Sequence, residues 1–163
     1  PADERLERLS LCSLTTKPML DLQYTRLPHA AGLPVPSRQT EGAAGYDIVA
    51  AVDLTFGSME RKLVPTGFKI AIPAGYECQI RPRSGLALTH GVTLPNTPAT
   101  IDSDYRGELC IALINLGTEP FEVTRGMRIG QLIFAPVEPV EFREVAALPP
   151  TDRGGGGFGS TGK

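Results

Sequence analysis

Glycine and proline punctuate almost the whole chain: 18 Gly and 15 Pro make up about a fifth of its 163 residues. A helix of ordinary length needs a stretch free of both, because Pro removes a backbone donor and an interior Gly costs ~1 kcal/mol relative to Ala. A helix bundle is therefore close to excluded, and the elements must be short. The length suits one domain, ~100–200 residues being the usual range. Hydrophobic residues at 41% and charged residues at 21% are enough for a packed core and too apolar for a disordered chain. With no Trp and only ten Tyr or Phe, that core is expected to be aliphatic.

A net charge of −2 argues against proteins that coat nucleic acid or bind membrane surfaces, where a basic excess supplies the affinity. No apolar run approaches the ~20 residues of a membrane span, and no basic-then-apolar leader is visible. Cys12, Cys78 and Cys110 are odd in number and far apart, which fits reduced cytoplasmic thiols better than a disulfide frame or a zinc site.

The chain divides into an N-terminal extension at 1–18, a domain at 19–150 and a Gly-rich tail at 151–163. In the extension Leu6, Leu9 and Leu14 can mark a short amphipathic helix, but a loose arm is the expectation. From Leu20 onward the pattern is β. Phe68, Ile70 and Ile72 alternate onto one face, as do Tyr76, Cys78 and Ile80, and the Pro-Ala-Gly turn at 73–75 predicts that these two runs form a hairpin. Residues 109–114, LCIALI, read as a strand buried on both faces. Residues 129–135 form another apolar run, ended by Pro136. Only SGLALTHG at 84–91 can hold a helical turn or two, capped by Ser84 and stopped by Gly91. Short strands between Gly and Pro turns predict an all-β sandwich or distorted barrel of jelly-roll type.

Five polar, Gly-rich patches interrupt the strands: AAGYDI at 43–48, RPRSGLA at 81–87, PNTPATIDSDYRGEL at 95–109, RGMRIGQLI at 125–133 and RGGGGFGSTG at 153–162. Singly, each has an ordinary structural explanation. Gly45 and Asp47 can be turn residues, Ser84 a cap, Asp102 to Asp104 a turn, Gln131 a polar residue on a strand face. No patch has P-loop spacing, and His29 and His90, the only histidines, do not build a nucleophilic triad. Together they say more. Arg83, Arg106, Arg125 and Arg153 adjoin glycine or a small hydroxyl residue, and Arg128 lies two residues from glycine on either side. Glycine lets backbone N–H groups approach an anion and arginine adds bidentate charge, so polyphosphate is the natural ligand. Asp47, Asp102 and Asp104 can serve a hard divalent cation or activate water.

In this order the five patches resemble the five motifs of the trimeric dUTPases, bacterial members most closely. PRSGLA, TIDSDYRGE and RGGGGFGSTG are the strongest pieces, and the resemblance covers about residues 20–163. It implies a homotrimer of distorted jelly-roll subunits with active sites shared between chains. One chain supplies the first, second and fourth patches, another the third, and the tail of a third closes as a lid. The implied reaction is dUTP hydrolysis to dUMP and pyrophosphate with Mg²⁺, which keeps uracil out of DNA and feeds thymidylate synthesis.

Carried over by matching position, Asp102 is the general base that activates the attacking water. Tyr105 packs under the deoxyribose, where a 2′-OH would clash. Asn96 and the main chain of Thr100, Ile101 and Asp102 read the uracil edge, with Cys110 close behind. Arg83, Ser84, Gly85 and Gln131 hold the phosphates. Asp47 binds a water of the magnesium shell, the ion being held mainly by the triphosphate. Arg153 reaches the γ-phosphate, Phe158 stacks on uracil, and Ser160 and Thr161 close the phosphate end. The chain departs from the family at Ala99, where Gly is usual, and around Arg128, where Met127 and Gly130 look neutral. The competing readings are a dCTP deaminase-like enzyme, which needs a catalytic Glu and a cytosine pocket, and a non-catalytic nucleotide-sensing trimer.

Overall fold

The computed structural model describes residues 19–157 and is built from short strands, as the Gly and Pro spacing requires. The strands are β1 (Gln23–Arg26), β2 (Tyr46–Val49), β3 (Leu54–Phe56), β4 (Arg61–Pro65), β5 (Phe68–Ala71), β6 (Tyr76–Arg81), β7 (Val92–Thr93), β8 (Ala99–Ile101), β9 (Cys110–Asn115), β10 (Phe121–Val123) and β11 (Arg128–Pro136). The single α-helix among the described residues, α1 (Ser84–His90), stops at Gly91, which adopts the left-handed C-cap conformation. A 3-10 turn spans Pro28–Ala30.

The strands form a four-stranded sheet in the order β2-β11-β6-β8, a three-stranded sheet β4-β9-β7, and the pairs β1-β5 and β10-β3. The expected all-β, jelly-roll-type architecture is what is found, with open sheets rather than a closed barrel. The anticipated hairpin is not. β5 pairs with β1, while β6 pairs with β11 and β8. The turn at 73–75 exists, with Tyr76 N–H donating to Pro73 O at 3.2 Å, but it is a corner between two sheets. The turn following β8 likewise leads into another sheet, where β9 pairs with β4 and β7. Helix α1 begins one residue earlier than a Ser84 cap requires: Arg83 is the N-cap, and its side chain makes no cap hydrogen bond.

The core draws on every sheet. Ile48, Ile80, Leu109, Ile111, Leu113, Ile129 and Leu132 are all at most 1% exposed, and each such side chain stabilises by roughly 1.5–3 kcal/mol. Phe68, Ile70 and Ile72 are buried on one face as their alternation predicts, and so are Cys78 and Ile80. The core is less purely aliphatic than composition suggests. Phe56 and Phe68 are fully buried, and Phe56 meets Phe121 edge to face at 5.8 Å. Strand β9 is not buried on both faces: Ile111, Leu113 and Asn115 point inward, while Cys110, Ala112 and Ile114 are half-buried. Buried Asn115 is fully engaged, donating to Phe56 O and Glu119 O and accepting from Gly117 N.

Candidate functional site

The four-stranded sheet brings the first, second and fourth patches together. Asp47 on β2 lies directly opposite Gln131 on β11, and Gln131 in turn opposes Arg81 at the end of β6. Beyond β6 the chain turns through Pro82 and Arg83 into α1. Asp47 Oδ2 accepts from Arg128 Nη1 at 3.0 Å, and its Oδ1 lies 3.9 Å from Arg83 Nε. Arg83 Nη1 donates to the Arg128 carbonyl at 3.1 Å, and Gln131 Nε2 donates to Pro82 O at 3.0 Å. Gly45 permits this closeness, since a Cβ there would overlap Gln131 Oε1. Two guanidinium groups against one carboxylate leave local positive charge in an acidic chain, with Ser84 and Gly85 beside it at the start of α1.

The other arginines do something else. Arg125 donates to His29 O and Ala31 O at 3.2 and 2.6 Å. Arg106 staples its own loop by donating to Ser103 O and Tyr105 O. Arg153 donates to Gly156 O at 2.8 Å, within its own turn. Of the five, Arg83 and Arg128 face Asp47, while Arg106, Arg125 and Arg153 bond backbone carbonyls within the single chain. Arg106 and Arg125 satisfy backbone carbonyls that the irregular chain leaves without strand partners.

The third patch occupies the opposite edge of the same sheet. Thr100 and Ile101 on β8 oppose Gln79 and Cys78 of β6. Thr100, Asp102, Ser103 and Asp104 line a cleft of about 740 Å³ together with Tyr76 and Val137. Asn96 is exposed in the segment leading to β8. Tyr105 N–H closes the turn on Asp102 O at 3.2 Å, and the Tyr105 hydroxyl donates to Glu108 O at 2.9 Å. Cys110 is placed in β9 opposite Pro65, in a different sheet from Thr100. Burial and the neighbouring Glu108 carboxylate push its thiol up. Ala99 has the extended backbone of a strand and packs against the core. Phe158, Ser160 and Thr161 lie outside the described residues.

Among the described residues no cluster of three His, Cys, Asp or Glu side chains forms a ready-made metal site. Asp47, already held by Arg128, suits a water of a hydrated cation better than the bare ion. Sequence reasoning missed His29 and Glu108, which pair at 2.7 Å across 79 positions. No local pattern signals such a contact.

The dUTPase family model matches residues 31–162. A deoxyuridine 5'-triphosphate nucleotidohydrolase of Zymomonas mobilis is 59% identical over 88% of this chain and 98% of its own length. One of Rhizobium meliloti is 56% identical over 86% of this chain and 91% of its own length. Among solved structures, the dUTPase of Staphylococcus bacteriophage 80alpha with dUPNHPP aligns with a TM-score of 0.81 at 24% identity, covering 88% of this chain and 99% of the phage chain. A mutant dUTPase of phage phi11 of S. aureus, described with a structural Mg(II) ion, aligns at 0.71 and 22% identity, over 78% of this chain and 97% of that one. With the family model spanning most of the chain and relatives above half identity over nearly their whole length, this chain belongs to the dUTPase family.

Proposed function

We propose that the chain hydrolyses dUTP to dUMP and pyrophosphate, removing a precursor of uracil in DNA and supplying dUMP for thymidylate synthesis. Family membership supports the reaction. One geometric observation supports its arrangement: Asp47, which binds Arg128, and the segment leading into the Asp102 loop lie on the two opposite edge strands of one sheet. Strands β11 and β6 separate β2 from β8, about 14 Å at ~4.8 Å per strand. Water attack needs base, phosphorus and phosphate clamps within a few ångströms of one another. A homotrimer meets that need: one chain's arginine cluster faces a second chain's Asp102 loop, and a third chain's tail closes over both. The segment after β11 favours such an assembly, because Val140, Phe142 and Leu148 are 69%, 96% and 82% exposed on the single chain.

In this reading Asp102 takes the proton of the attacking water, which adds in line to the α-phosphorus as pyrophosphate leaves. Arg83, Gln131, Ser84 and Gly85 hold the phosphates, and Arg128 supports them while oriented by Asp47. Tyr105 supports the deoxyribose, Asn96 and the β8 main chain read uracil, and Cys110 lies behind that segment. Arg153, Phe158, Ser160 and Thr161 act from the tail. A magnesium ion carried by the triphosphate, with Asp47 on one of its waters, would screen the phosphate charge. No helix among the described residues is long and apolar enough to cross a membrane. The cytoplasm is the proposed location.

The test is product release from dUTP, dCTP, TTP and UTP side by side, with sedimentation to count subunits. Pyrophosphate from dUTP alone, by a trimer, is expected. Ammonia from dCTP, or no turnover by a folded protein, would overturn the reading.

A further inference from the structure

Three segments distant in sequence converge beside the third patch. The β4–β5 turn carries Gly67 at φ +73°, where a Cβ would overlap Ala30 Cβ, so the Pro28–Ala30 turn presses directly on it. Gly67 O accepts from Leu27 N at 2.8 Å, and Gly67 N donates to Glu108 Oε1 at 2.7 Å. The same Oε1 meets His29 Nε2 at 2.7 Å. His29 is itself held, since Arg125 donates to its carbonyl and Arg26 donates to Ala30 O at 3.0 Å. From Glu108 the chain of contacts runs to the active loop, where the Glu108 carbonyl accepts the Tyr105 hydroxyl. The ring has little freedom on the side of Gly107, because a Cβ there would overlap the Tyr105 hydroxyl oxygen.

The loop from Asp102 to Gly107 is otherwise bonded mainly to itself, through Tyr105 N to Asp102 O and through Arg106 to Ser103 O and Tyr105 O. Its ties to the rest of the domain are the Leu109 backbone, bonded to Phe68 and Thr66, and the Glu108 side chain. Leu109 fixes where the loop ends. Glu108 fixes how the residue holding the Tyr105 hydroxyl is turned.

We propose that Glu108, clamped by His29 and Gly67, is a positioning residue that sets the height of the Tyr105 ring and thereby sharpens discrimination of deoxyribose from ribose. The proposal rests on the reading of Tyr105 as the platform under the sugar. A platform that excludes a single hydroxyl must hold its position within a fraction of an ångström, since the group to be rejected is one oxygen. The clamp supplies that rigidity from outside the loop, from the Pro28–Ala30 and β4–β5 turns.

The experiment measures kcat and KM for dUTP and UTP, with thermal melts, on the full-length protein and its Glu108→Ala, His29→Ala, Glu108→Gln and Tyr105→Ala variants. Glu108→Ala is expected to lower the dUTP-over-UTP ratio of kcat/KM by about fivefold or more, mostly through KM for dUTP. His29→Ala should lower it in the same direction by less. Glu108→Gln, whose amide oxygen still accepts both hydrogen bonds, should recover the ratio to within about twofold. A ratio unchanged in both alanine variants while Tyr105→Ala lowers it would overturn the positioning role and leave Tyr105 as the platform. A ratio unchanged in Tyr105→Ala would overturn the platform reading and the proposal with it. Should Glu108→Ala fail to fold, the melt reveals it, and His29→Ala, which removes only a half-exposed ring, decides alone.

Discussion

Asp102 is exposed just after β8, and both histidines are engaged with other groups, His29 with Glu108 and His90 with the Phe121 ring. Asp102→Asn preserves shape and removes the base, so dUTP binding should survive and turnover should fall by ~10²–10⁴-fold. Single-turnover pyrophosphate release, set beside equilibrium binding of an unhydrolysable analogue, separates the two effects. Ala99 stands where the resemblance implies Gly, yet its strand conformation and packing against the core make glycine unnecessary for backbone reasons. Ala99→Gly should change KM for dUTP by less than about threefold. Cys78 is fully buried, and loss of hydration pushes its thiol up to about 12. Folding therefore favours the protonated thiol. That stability is complete below the unfolded value near 9 and is lost as pH rises from there toward 12. Urea melts at pH 7.5 and 10 should show the loss, and Cys78→Val should reduce it.

At the scale of elements, legibility followed the range of the contact. Alternation placed Phe68, Ile70, Cys78 and Ile80 on the core side because the period is a property of each strand alone. Pairing is not. Pro73, Ala74 and Gly75 announce a reversal equally well whether the strands they join lie side by side or in separate sheets, so the anticipated hairpin proved to be a corner. The same limit separates the arginines. Arg83 and Arg128 face the Asp47 site; Arg125, which adjoins glycine, spends its guanidinium on carbonyls 94 and 96 residues away. Asn115 gave no sequence signal beyond ending an apolar run, yet it joins β9 to Phe56 and to the turn before β10. Asn115→Ala leaves those carbonyls unmet and should cost roughly 2–3 kcal/mol. Urea denaturation with an unchanged slope would measure it cleanly.

For the whole molecule, the described part of the tail carries Arg153 and a run of glycines with nothing to bury. Deleting residues 152–163 should reduce activity by orders of magnitude and leave the melting temperature within a few degrees. Removing residues 1–18, which precede the family match, should alter neither. In the proposed trimer, the sharing of each site between chains has a genetic consequence. A chain carrying Asp102→Asn keeps its arginine cluster, and a chain carrying Arg83→Ala keeps its base, so each alone is inactive for a different reason. Co-assembled from an equal mixture, roughly a quarter of the sites would join an intact cluster to an intact Asp102. Two defective alleles in one cell would therefore complement each other, and the restored activity would follow how freely their subunits mix.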